Sequence, residues 1–427
     1  MPLVKKPVTG MKDILPNEMR IREYVSSVIR ETYEGFGFQS IETPCVEHIE
    51  NLCSKQGGEN EKLIFKILKR GDKLQLDGEV TEESLTYSGL RYDLTLPLSR
   101  YYANHANDLQ MPFKALQIGS VWRADRPQKG RFRQFVQCDI DILGDATNLA
   151  EIELILATTT ALSKLSFKGF TVRINDRRIL KAMAGYAGFS EDDCDRVFIT
   201  LDKMDKIGLD GVREELLTDG FAPDQVKRYT ELFSMEAGDS ASVEKLAGIL
   251  AEHLEEGCAQ NLITIMDTVA SISGADFKIV FDPTLVRGMS YYTGTIFEIG
   301  MDAFGSSVAG GGRYDNMIGN FTGQKTCACG FSIGFERIIT ILLDQGFTVP
   351  TAGEKIAFLI EKGASRERMT QVMQEAMKLR EEGKQVFVAQ MNKNKKFQKE
   401  QLQKEGYLNE NIRDFYNTEL KRTEDGV

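Results

Sequence analysis

One stretch, residues 114–143, constrains the fold of this chain more than any other. Its two ends, KALQIGSV (114–121) and QFVQCDIDIL (134–143), have the apolar and β-branched composition of strands. Pro127 and Gly130 lie between them and predict a turn. The sequence therefore predicts two long strands that are joined by a loop and lie side by side in one sheet.

The loop concentrates positive charge in a chain whose net charge is −10. Five basic residues lie close together: Arg123, Arg126, Lys129, Arg131 and Arg133. Guanidinium groups suit phosphate oxygens because they offer paired donors and stay charged at any working pH. The cluster therefore indicates a phosphate-binding site, with a solvated hairpin tip as the alternative. Alternate positions of the second strand carry Gln137, Asp139 and Asp141, and this polar wall favours the first interpretation.

The composition narrows the class of protein. The chain has 427 residues, of which 42% are apolar and 27% charged, and this length suits about two to four domains. No apolar run approaches the ~20 residues of a membrane helix and no signal core follows the N-terminus, so we expect a cytoplasmic protein that does not associate with membranes. The seven cysteines lack the C-x-x-C pairs of a zinc site, which predicts reduced thiols and no metal ligands. A redox role for Cys327 and Cys329 remains open.

Apolar periodicity predicts the elements of the first part of the chain. A helix capped by Asn17 is expected to end at GFGF (35–38). Strand character follows at 39–44, 63–68 and 89–96.

The character of the chain then changes twice. Between about 175 and 275 short helical pieces alternate with acidic connections, which predicts a helical insertion. Strand signals return at 278–300, and a later helix is expected to begin near Ser332. The last segment has β–α–β order, which predicts a small α/β domain. Its helix is expected to turn four residues to one side, namely Met369, Val372, Met373 and Ala376.

Several motifs occur in a fixed order along the chain. They are GMKDILP (10–16), GFGFQSIETP (35–44), RYDLTLPLSRY (91–101), LVRGMSYYTGTIFE (285–298), AGGGRYD (309–315) and GFSIGFER (330–337). Together with the basic stretch from Arg123 to Gln137, they resemble the histidyl-tRNA synthetase family of the class II aminoacyl-tRNA synthetases. The basic stretch resembles motif 2 of that class, GFGFQSIETP motif 1 and GFSIGFER motif 3. LVRG-x-x-YYTGT is the most specific, although position 290 is Ser where the histidyl signature generally carries Asp.

This resemblance implies an α+β fold whose catalytic domain contains a six-stranded antiparallel sheet flanked by helices. The catalytic domain would span residues 1–174 and 276–345, with a helical insertion domain at 175–275. Residues 346–427 would form a short C-terminal α/β domain that resembles an anticodon-binding domain. The final residues, DFYNTELKRTEDGV, do not resemble the closing strands of that domain. A homodimer built on motif 1 is also implied.

The implied activity is the ATP-dependent attachment of L-histidine to tRNA(His) through a histidyl-adenylate, with Mg²⁺ accompanying ATP. Arg123 and Arg287 would be the catalytic residues that grip the α-phosphate. The other ATP-binding residues would be Arg131, Phe135 and Arg337, with Phe135 stacked on adenine.

The resemblance also implies a histidine-binding set. It consists of Asp93, Thr95, Gln137, Asp141, Tyr291, Tyr292, Gly311 and Tyr314. Asp93, Thr95 and Gln137 would hold the α-ammonium group, while Asp141 and Tyr292 would bind the two ring nitrogens. Each residue also has an ordinary structural interpretation, such as a helix cap for Asp93 or Asp141 and a half-buried aromatic for Tyr292.

The tip of the motif 2 loop would contact the acceptor stem of tRNA(His) through Arg126, Gln128 and Lys129. Five lysines near the C-terminus form either a solvated face or an RNA surface, and they are Lys393, Lys395, Lys396, Lys399 and Lys404. One rival hypothesis is a catalytically idle, histidine-sensing paralogue such as the regulatory subunit of ATP phosphoribosyltransferase. Another is an RNA-binding module without catalysis. The enzyme is favoured by a recognisable C-terminal domain and by the retained arginines, which are Arg123, Arg131, Arg287 and Arg337.

Overall fold

The computed structural model describes residues 3–53, 60–74, 76–77, 80–127, 131–234, 238–274, 276–288, 292–301, 305–350 and 353–417. The chain folds into two compact units. The first comprises Met1–Ile14 and Arg22–Phe347, and the second Leu15–Ile21 and Thr348–Val427.

The strands of the described residues are β1 (Gln39–Ser40), β2 (Val46–His48), β3 (Lys66–Leu68), β4 (Thr86–Leu90), β5 (Phe113–Trp122), β6 (Gln134–Leu143), β7 (Phe170–Asp176), β8 (Phe277–Phe281), β9 (Thr295–Met301), β10 (Ser306–Arg313), β11 (Ala328–Ile333), β12 (Lys355–Ile360), β13 (Gln385–Gln390) and β14 (Ile412–Phe415). The helices are α1 (Pro16–Gly35), α2 (Ile49–Leu52), α3 (Glu82–Leu85), α4 (Thr95–His105), α5 (Leu149–Lys164), α6 (Arg177–Ala187), α7 (Cys194–Leu201), α8 (Met204–Thr218), α9 (Pro223–Glu231), α10 (Ser240–Leu250), α11 (Cys258–Ile272), α12 (Gly319–Thr322), α13 (Phe335–Asp344), α14 (Arg366–Glu381) and α15 (Lys395–Lys404).

A large sheet forms the centre of the first unit, with the strand order β1-β5-β6-β11-β10-β9-β7-β8. The six strands from β5 to β7 in this order pair antiparallel, and β1 and β8 add a parallel strand at each edge. The predicted α+β fold and its six-stranded antiparallel sheet are therefore confirmed. A separate small sheet has the order β2-β4-β3.

The side chains of strand β6 show that the sheet has one apolar face and one polar face. Cys138, Ile140 and Ile142 are almost completely buried on the apolar side, where α13 packs against β6 and α5 packs against β11. Successive side chains of a strand point to opposite faces, so Gln137 and Asp139 face the other way. The prediction of a polar wall at the odd-numbered positions of this strand thus agrees with the structure.

A row of directly paired residues crosses the polar face of the sheet. From β5 to β7 it consists of Gln117, Asp139, Ser332, Gly310, Glu298 and Arg173. Paired residues in neighbouring strands project from the same face and lie close enough to interact. The row therefore gathers charged, hydroxyl and glycine residues from six strands onto one surface.

Between β7 and β8 the chain is mostly helical, from α6 to α11. Asp176 begins this segment, because its Oδ1 atom accepts a hydrogen bond of 2.9 Å from the backbone N–H of Arg178. The helical character at 175–275 was predicted, whereas the proposed domain boundaries stay a prediction.

The second unit contains a three-stranded parallel sheet with the order β13-β12-β14. Together with α14 and α15 it confirms the predicted small α/β fold. Strand β14 was not predicted, since the end of the chain was expected to contribute no closing strand.

The four residues predicted on one side of the last long helix do share one side of α14, but only part of that side is buried. Val372 and Ala376 are buried, but Met369 and Met373 are 45% and 41% exposed. The sheet covers only the arc of the helix that contains Val372 and Ala376, so the neighbouring methionines remain on the surface.

Three other element predictions need correction. Asn17 does not cap α1, because the helix already begins at Pro16, whose fixed φ angle suits the first helical position. Strand β1 ends at Ser40, four residues before the predicted limit. The helix α13 begins at Phe335 rather than near Ser332, which belongs to β11.

The predicted strand at 89–96 was also wrong over most of its length. Strand β4 ends at Leu90 and α4 begins at Thr95. The Asp93 carboxylate accepts a hydrogen bond of 3.1 Å from the backbone N–H of Leu96, which satisfies a donor in the first turn of the helix. This hydrogen bond stabilises the start of the helix and outweighs the strand preference of Tyr92 and Thr95. The strand expected at 63–68 forms only over Lys66–Leu68.

Candidate active site

Two cavities adjoin on the polar face of the large sheet. The first, here called the outer cleft, has a volume of about 500 Å³, and the second, the inner pocket, about 190 Å³. Both cavities are lined by Arg123, Gln137, Tyr292, Gly310 and Ser332. Water occupies about 30 Å³ per molecule in the liquid, so the inner pocket has room for about six water molecules. Its size suits a ligand on the scale of one amino acid.

The outer cleft is rich in arginine. Arg123, Arg131, Arg287 and Arg337 all line it. Burial lowers the pKa of Arg337, and the nearby charges of Arg131 and Arg287 lower it further. Like charges that are held together in a partly desolvated cleft favour the binding of an anion.

Arg123 lies at the junction of the two cavities. Its Nε atom donates a hydrogen bond of 3.0 Å to the carbonyl of Tyr92, and its guanidinium lies 5.1 Å from the centre of the Phe135 ring. Phe135 itself lines the outer cleft. Arg123 is thus fixed by one backbone contact and one ring, which leaves further donors for a ligand.

Arg287 is held by a chain of charged side chains that follows the cross-sheet row. Its Nε atom donates to Glu298 at 2.5 Å, and its Nη2 atom donates to the Ser307 hydroxyl at 2.8 Å. Glu298 also lies 3.7 Å from Arg173, whose Nε atom donates to Asp282 at 2.5 Å. The orientation of Arg287 therefore depends on Glu298. Ser290 lies outside the described residues.

Gly310 makes room for this arrangement. A Cβ atom at this position would lie 2.6 Å from the Cζ atom of Arg287. No real side chain fits at that distance, so glycine lets the guanidinium rest directly on strand β10.

Asp141 is the most deeply buried carboxylate of the inner pocket, with 3% exposure. The Tyr314 hydroxyl donates a hydrogen bond of 2.5 Å to its Oδ1 atom, whereas its Oδ2 atom is buried without a partner. Burial raises the pKa of Asp141 to about 7, although the bond from Tyr314 lowers it. An unpaired buried acceptor of this kind suits a ligand that brings an N–H donor.

Gly330 was missed by the sequence analysis. It pairs with Asp141 across β6 and β11, and a Cβ atom on it would lie 2.0 Å from the Asp141 Oδ1 atom. The only signal available in the sequence was its place at the start of GFSIGFER. Ser332, which lines both cavities, lies in the same motif and was also missed.

Two further acceptors in the inner pocket have no partner. The Gln137 Nε2 atom donates to the Ser332 hydroxyl at 3.4 Å, but its Oε1 atom is buried and unpaired. The Oδ1 atom of Asp139 is buried and unpaired as well. Asp93 and Thr95 complete this side of the pocket. Burial raises the pKa of Asp93, while the N–H of Leu96 and the charge of Arg123 oppose the shift.

The structure brings most of the predicted site residues together. Those that line the outer cleft, the inner pocket or both are Asp93, Thr95, Arg123, Arg126, Arg131, Phe135, Gln137, Asp141, Arg287, Tyr292, Tyr314 and Arg337. Gly311 lines neither cavity, because its Cβ direction meets the Gly330 carbonyl and Phe297. Gln128, Lys129 and Tyr291 lie outside the described residues. The roles assigned to all of them stay predictions.

A buried ion pair supports the outer cleft from below. Arg22 on α1 donates to both carboxylate oxygens of Glu336, at 2.7 and 2.8 Å. Glu336 also accepts a hydrogen bond of 3.2 Å from the backbone N–H of Val136. Because Glu336 is fully engaged, it is a poor candidate for a metal ligand. Within the described ranges no group of three or more His, Cys, Asp or Glu residues could hold a metal ion.

Among the five C-terminal lysines, two are engaged within the second unit. Lys395 and Lys399 contact the carboxylate of Asp414 at 3.0 and 2.9 Å. In the part of the chain that the structure describes, no helix is long and apolar enough to cross a membrane.

The antiparallel sheet, with an arginine-lined cleft on its polar face, has the architecture of a class II aminoacyl-tRNA synthetase. Comparison with known proteins identifies the family within this class. The family model for histidyl-tRNA synthetase matches residues 10–338. The histidine--tRNA ligase of Leifsonia xyli subsp. xyli is 48% identical over 344 residues, which are 79% of this chain and 80% of that protein. The chain therefore belongs to the histidyl-tRNA synthetase family.

Solved structures agree with this assignment. The histidyl-tRNA synthetase of Nostoc sp. PCC 7120 superposes with a TM-score of 0.77 at 28% identity, over 95% of this chain and 90% of that one. An ATP phosphoribosyltransferase regulatory subunit/histidyl-tRNA synthetase from Bacillus halodurans C has the same TM-score at 23% identity, over 97% and 99%. At that identity the second similarity shows the fold alone.

Proposed function

We propose that this protein attaches L-histidine to tRNA(His) in two steps, using ATP to form a histidyl-adenylate. One observation carries the proposal: an arginine-lined cleft and a pocket lined by unpaired acceptors meet at Arg123. A reaction that joins an amino acid carboxylate to a nucleotide phosphate needs these two sites side by side. Relatives named histidine--tRNA ligase support the choice of amino acid.

ATP occupies the outer cleft in this proposal. Arg123 and Arg287 contact the α-phosphate, and Arg131 and Arg337 contact the outer phosphates and adenine. Phe135 stacks on the adenine ring. The crowding of positive charge around Arg337 supports this assignment, since bound phosphates relieve it.

Histidine occupies the inner pocket. Its imidazole N–H donates to the unpaired Asp141 Oδ2 atom, and Tyr292 lies within reach of the ring. The α-ammonium group lies towards Asp93, Thr95 and Gln137. A substrate that satisfies buried acceptors is strongly preferred over analogues that lack the donor, because the acceptors would otherwise stay unpaired.

The first step needs no protein nucleophile. The histidine carboxylate attacks the α-phosphate, a P–O bond forms, and the bond to pyrophosphate breaks. Negative charge accumulates on the α-phosphate during this step, and the fixed guanidinium groups of Arg123 and Arg287 stabilise it. In the second step the 3′-hydroxyl of the terminal adenosine attacks the acyl carbon, and AMP leaves.

Mg²⁺ would reach the site on the phosphates of ATP rather than on a protein cluster. The Glu336 carboxylate in the cleft is already occupied by Arg22 and the Val136 N–H. Mg²⁺ commonly keeps few protein ligands when it binds with substrate phosphates. When bound, it would shield the charge of the departing pyrophosphate.

The motif 2 loop faces the RNA in this proposal. Arg126 is exposed at the edge of the outer cleft, where it can contact a phosphate of the acceptor stem without touching ATP. Gln128 and Lys129 share this role. We also propose that the protein forms a homodimer, as the family resemblance implies.

The test is the charging of tRNA(His) by the purified full chain with radiolabelled histidine and ATP. We expect histidyl-tRNA to accumulate and other amino acids to be rejected. The rival hypothesis of an idle histidine-sensing paralogue predicts that histidine binds but no charged tRNA forms. That result would overturn the proposal.

A further inference from the structure

A carboxylate without an assigned role faces the inner pocket. Asp139 lies on β6 between Gln137 and Asp141 and is only 4% exposed. Its side chain lines the pocket, and its Oδ1 atom has no hydrogen-bond partner. Neither the motif match nor the mechanism above uses this residue.

The neighbours of Asp139 do not offset the energetic cost of burying its carboxylate. Its directly paired neighbours are Ser332 on β11 and Gln117 on β5. The Gln117 amide donates to the carbonyl of Leu94, at 3.1 Å. Burial raises the pKa of Asp139 well above its usual range, and the charges of Asp141 and Asp93 raise it further, against a hydrogen bond from Ser332 and the charge of Arg123.

A buried carboxylate oxygen without a partner destabilises the free protein. Proteins retain such groups mainly where binding or catalysis requires them, at a cost in stability. A residue that served only the fold would be expected to have its acceptors satisfied. The position of Asp139 therefore points to a ligand.

From this geometry we infer that Asp139 is a histidine-binding residue whose Oδ1 atom accepts a hydrogen bond from the α-ammonium group of the substrate. The inference rests on the proposed function and adds a residue to its specificity. The ring nitrogens already have Asp141 and Tyr292 as partners. The α-ammonium group is a cation with three N–H donors, and Asp139 supplies both an acceptor and an opposite charge beside Asp93 and Gln137.

The experiment compares two ligands by isothermal titration calorimetry on the full chain. L-Histidine carries the ammonium group, and imidazole propionate keeps the ring and the carboxylate but lacks it. In Asp139→Asn we expect the preference for histidine over imidazole propionate to fall about 10- to 100-fold, because the charged hydrogen bond is made with histidine alone.

Asp141→Asn is the matched control. Its side chain contacts the ring, which both ligands share, so this variant should weaken both ligands alike and leave their ratio unchanged. Asp139→Ser is a second variant in which the carboxylate is absent altogether, and its ratio should fall as in Asp139→Asn. An unchanged ratio in both Asp139 variants overturns the inference.

Thermal unfolding without ligand separates a binding role from a structural one. We expect the Tm of free Asp139→Asn to equal or exceed that of the wild type, because the unpaired buried charge is gone. A lower Tm together with an unchanged ligand ratio identifies Asp139 as a structural residue and overturns the inference. A wild-type protein that binds no histidine overturns the proposed function itself. One that binds histidine no better than imidazole propionate overturns all the proposed contacts to the α-ammonium group, whereas an unchanged ratio in the Asp139 variants overturns only the role of Asp139.

Discussion

Gly330→Ala should impair histidine binding without disturbing the ATP site. Gly330 lies directly opposite Asp141 in the sheet. The added Cβ atom would lie 2.0 Å from the Asp141 Oδ1 atom and 3.0 Å from its Cγ atom, whereas ordinary contact begins at 3.4 Å. Asp141 must therefore rotate away, and its 2.5 Å hydrogen bond from Tyr314 is broken.

The magnitude follows from the contact that is lost. A hydrogen bond to a charged group contributes about 1.5–3 kcal/mol, so misplacing the Asp141 carboxylate should raise the KM for histidine about 10- to 150-fold. The KM for ATP should not change, because Gly330 does not line the outer cleft. Both constants can be measured by histidine-dependent pyrophosphate exchange.

Gly300→Ala provides the matched control. Gly300 lies on β9 of the same sheet, and no atom lies within 4 Å of a Cβ atom built on it. This variant should have the kinetics of the wild type. The reasoning is refuted if Gly330→Ala keeps the wild-type KM for histidine, or if it raises both KM values equally.

Three further predictions concern charge. Glu298→Gln removes the ionic partner of Arg287 but keeps the shape of the Glu298 side chain. The rate of adenylate formation at saturating histidine should therefore fall about 10- to 150-fold. A wild-type rate in single-turnover assays would show that other contacts orient Arg287. Arg126→Ala should weaken charging of tRNA(His) while pyrophosphate exchange is spared, and equal loss in both assays would contradict the proposed division of the motif 2 loop. The pKa of Asp141 is about 7 in the folded protein and about 3.9 in the unfolded chain. Between about pH 3.9 and pH 7 the carboxyl group is therefore protonated in the folded state and ionised in the unfolded state. The free energy of unfolding falls as the pH rises through this range. Asp141 accounts for at most about 4 kcal/mol of this decrease in the free energy of unfolding. Urea unfolding should show a smaller decrease between pH 5 and pH 8 for Asp141→Asn than for the wild type. Equal decreases would show that Asp141 is not the cause.

Much of the sheet could be predicted because its strands carry their own pattern. Strand β6 was predicted at its observed limits, since the six residues 137–142 alternate between polar and apolar and no competing signal interrupts the strand. The polar wall on this strand followed from the same alternation. The six-stranded antiparallel sheet came from the resemblance to a known family.

The features that were missed depend on neighbours far away in the sequence. Nothing near Gly330 reveals that Asp141 lies opposite it, because only the pairing of β6 with β11 brings them together. Similarly, Glu298 looks like an ordinary strand residue until β9 places it beside Arg287.

Local signals also competed with one another. The segment after Leu90 contains Tyr92 and Thr95, which favour a strand, but the hydrogen bond from the Leu96 N–H to Asp93 stabilises the first turn of the helix α4. In α14 the apolar residues form one broad stripe, and the sequence does not say how much of that stripe a three-stranded sheet will cover. Met369 is exposed for this reason, while Val372 is buried.

The most direct test of the account is pyrophosphate exchange with the purified full chain, ATP and Mg²⁺ in the absence of tRNA. The account predicts exchange that depends on histidine and saturates with it, because the outer cleft and the inner pocket meet at Arg123 and suffice for the first step. Exchange that is absent, or that does not depend on histidine, would contradict the assignment of the two cavities.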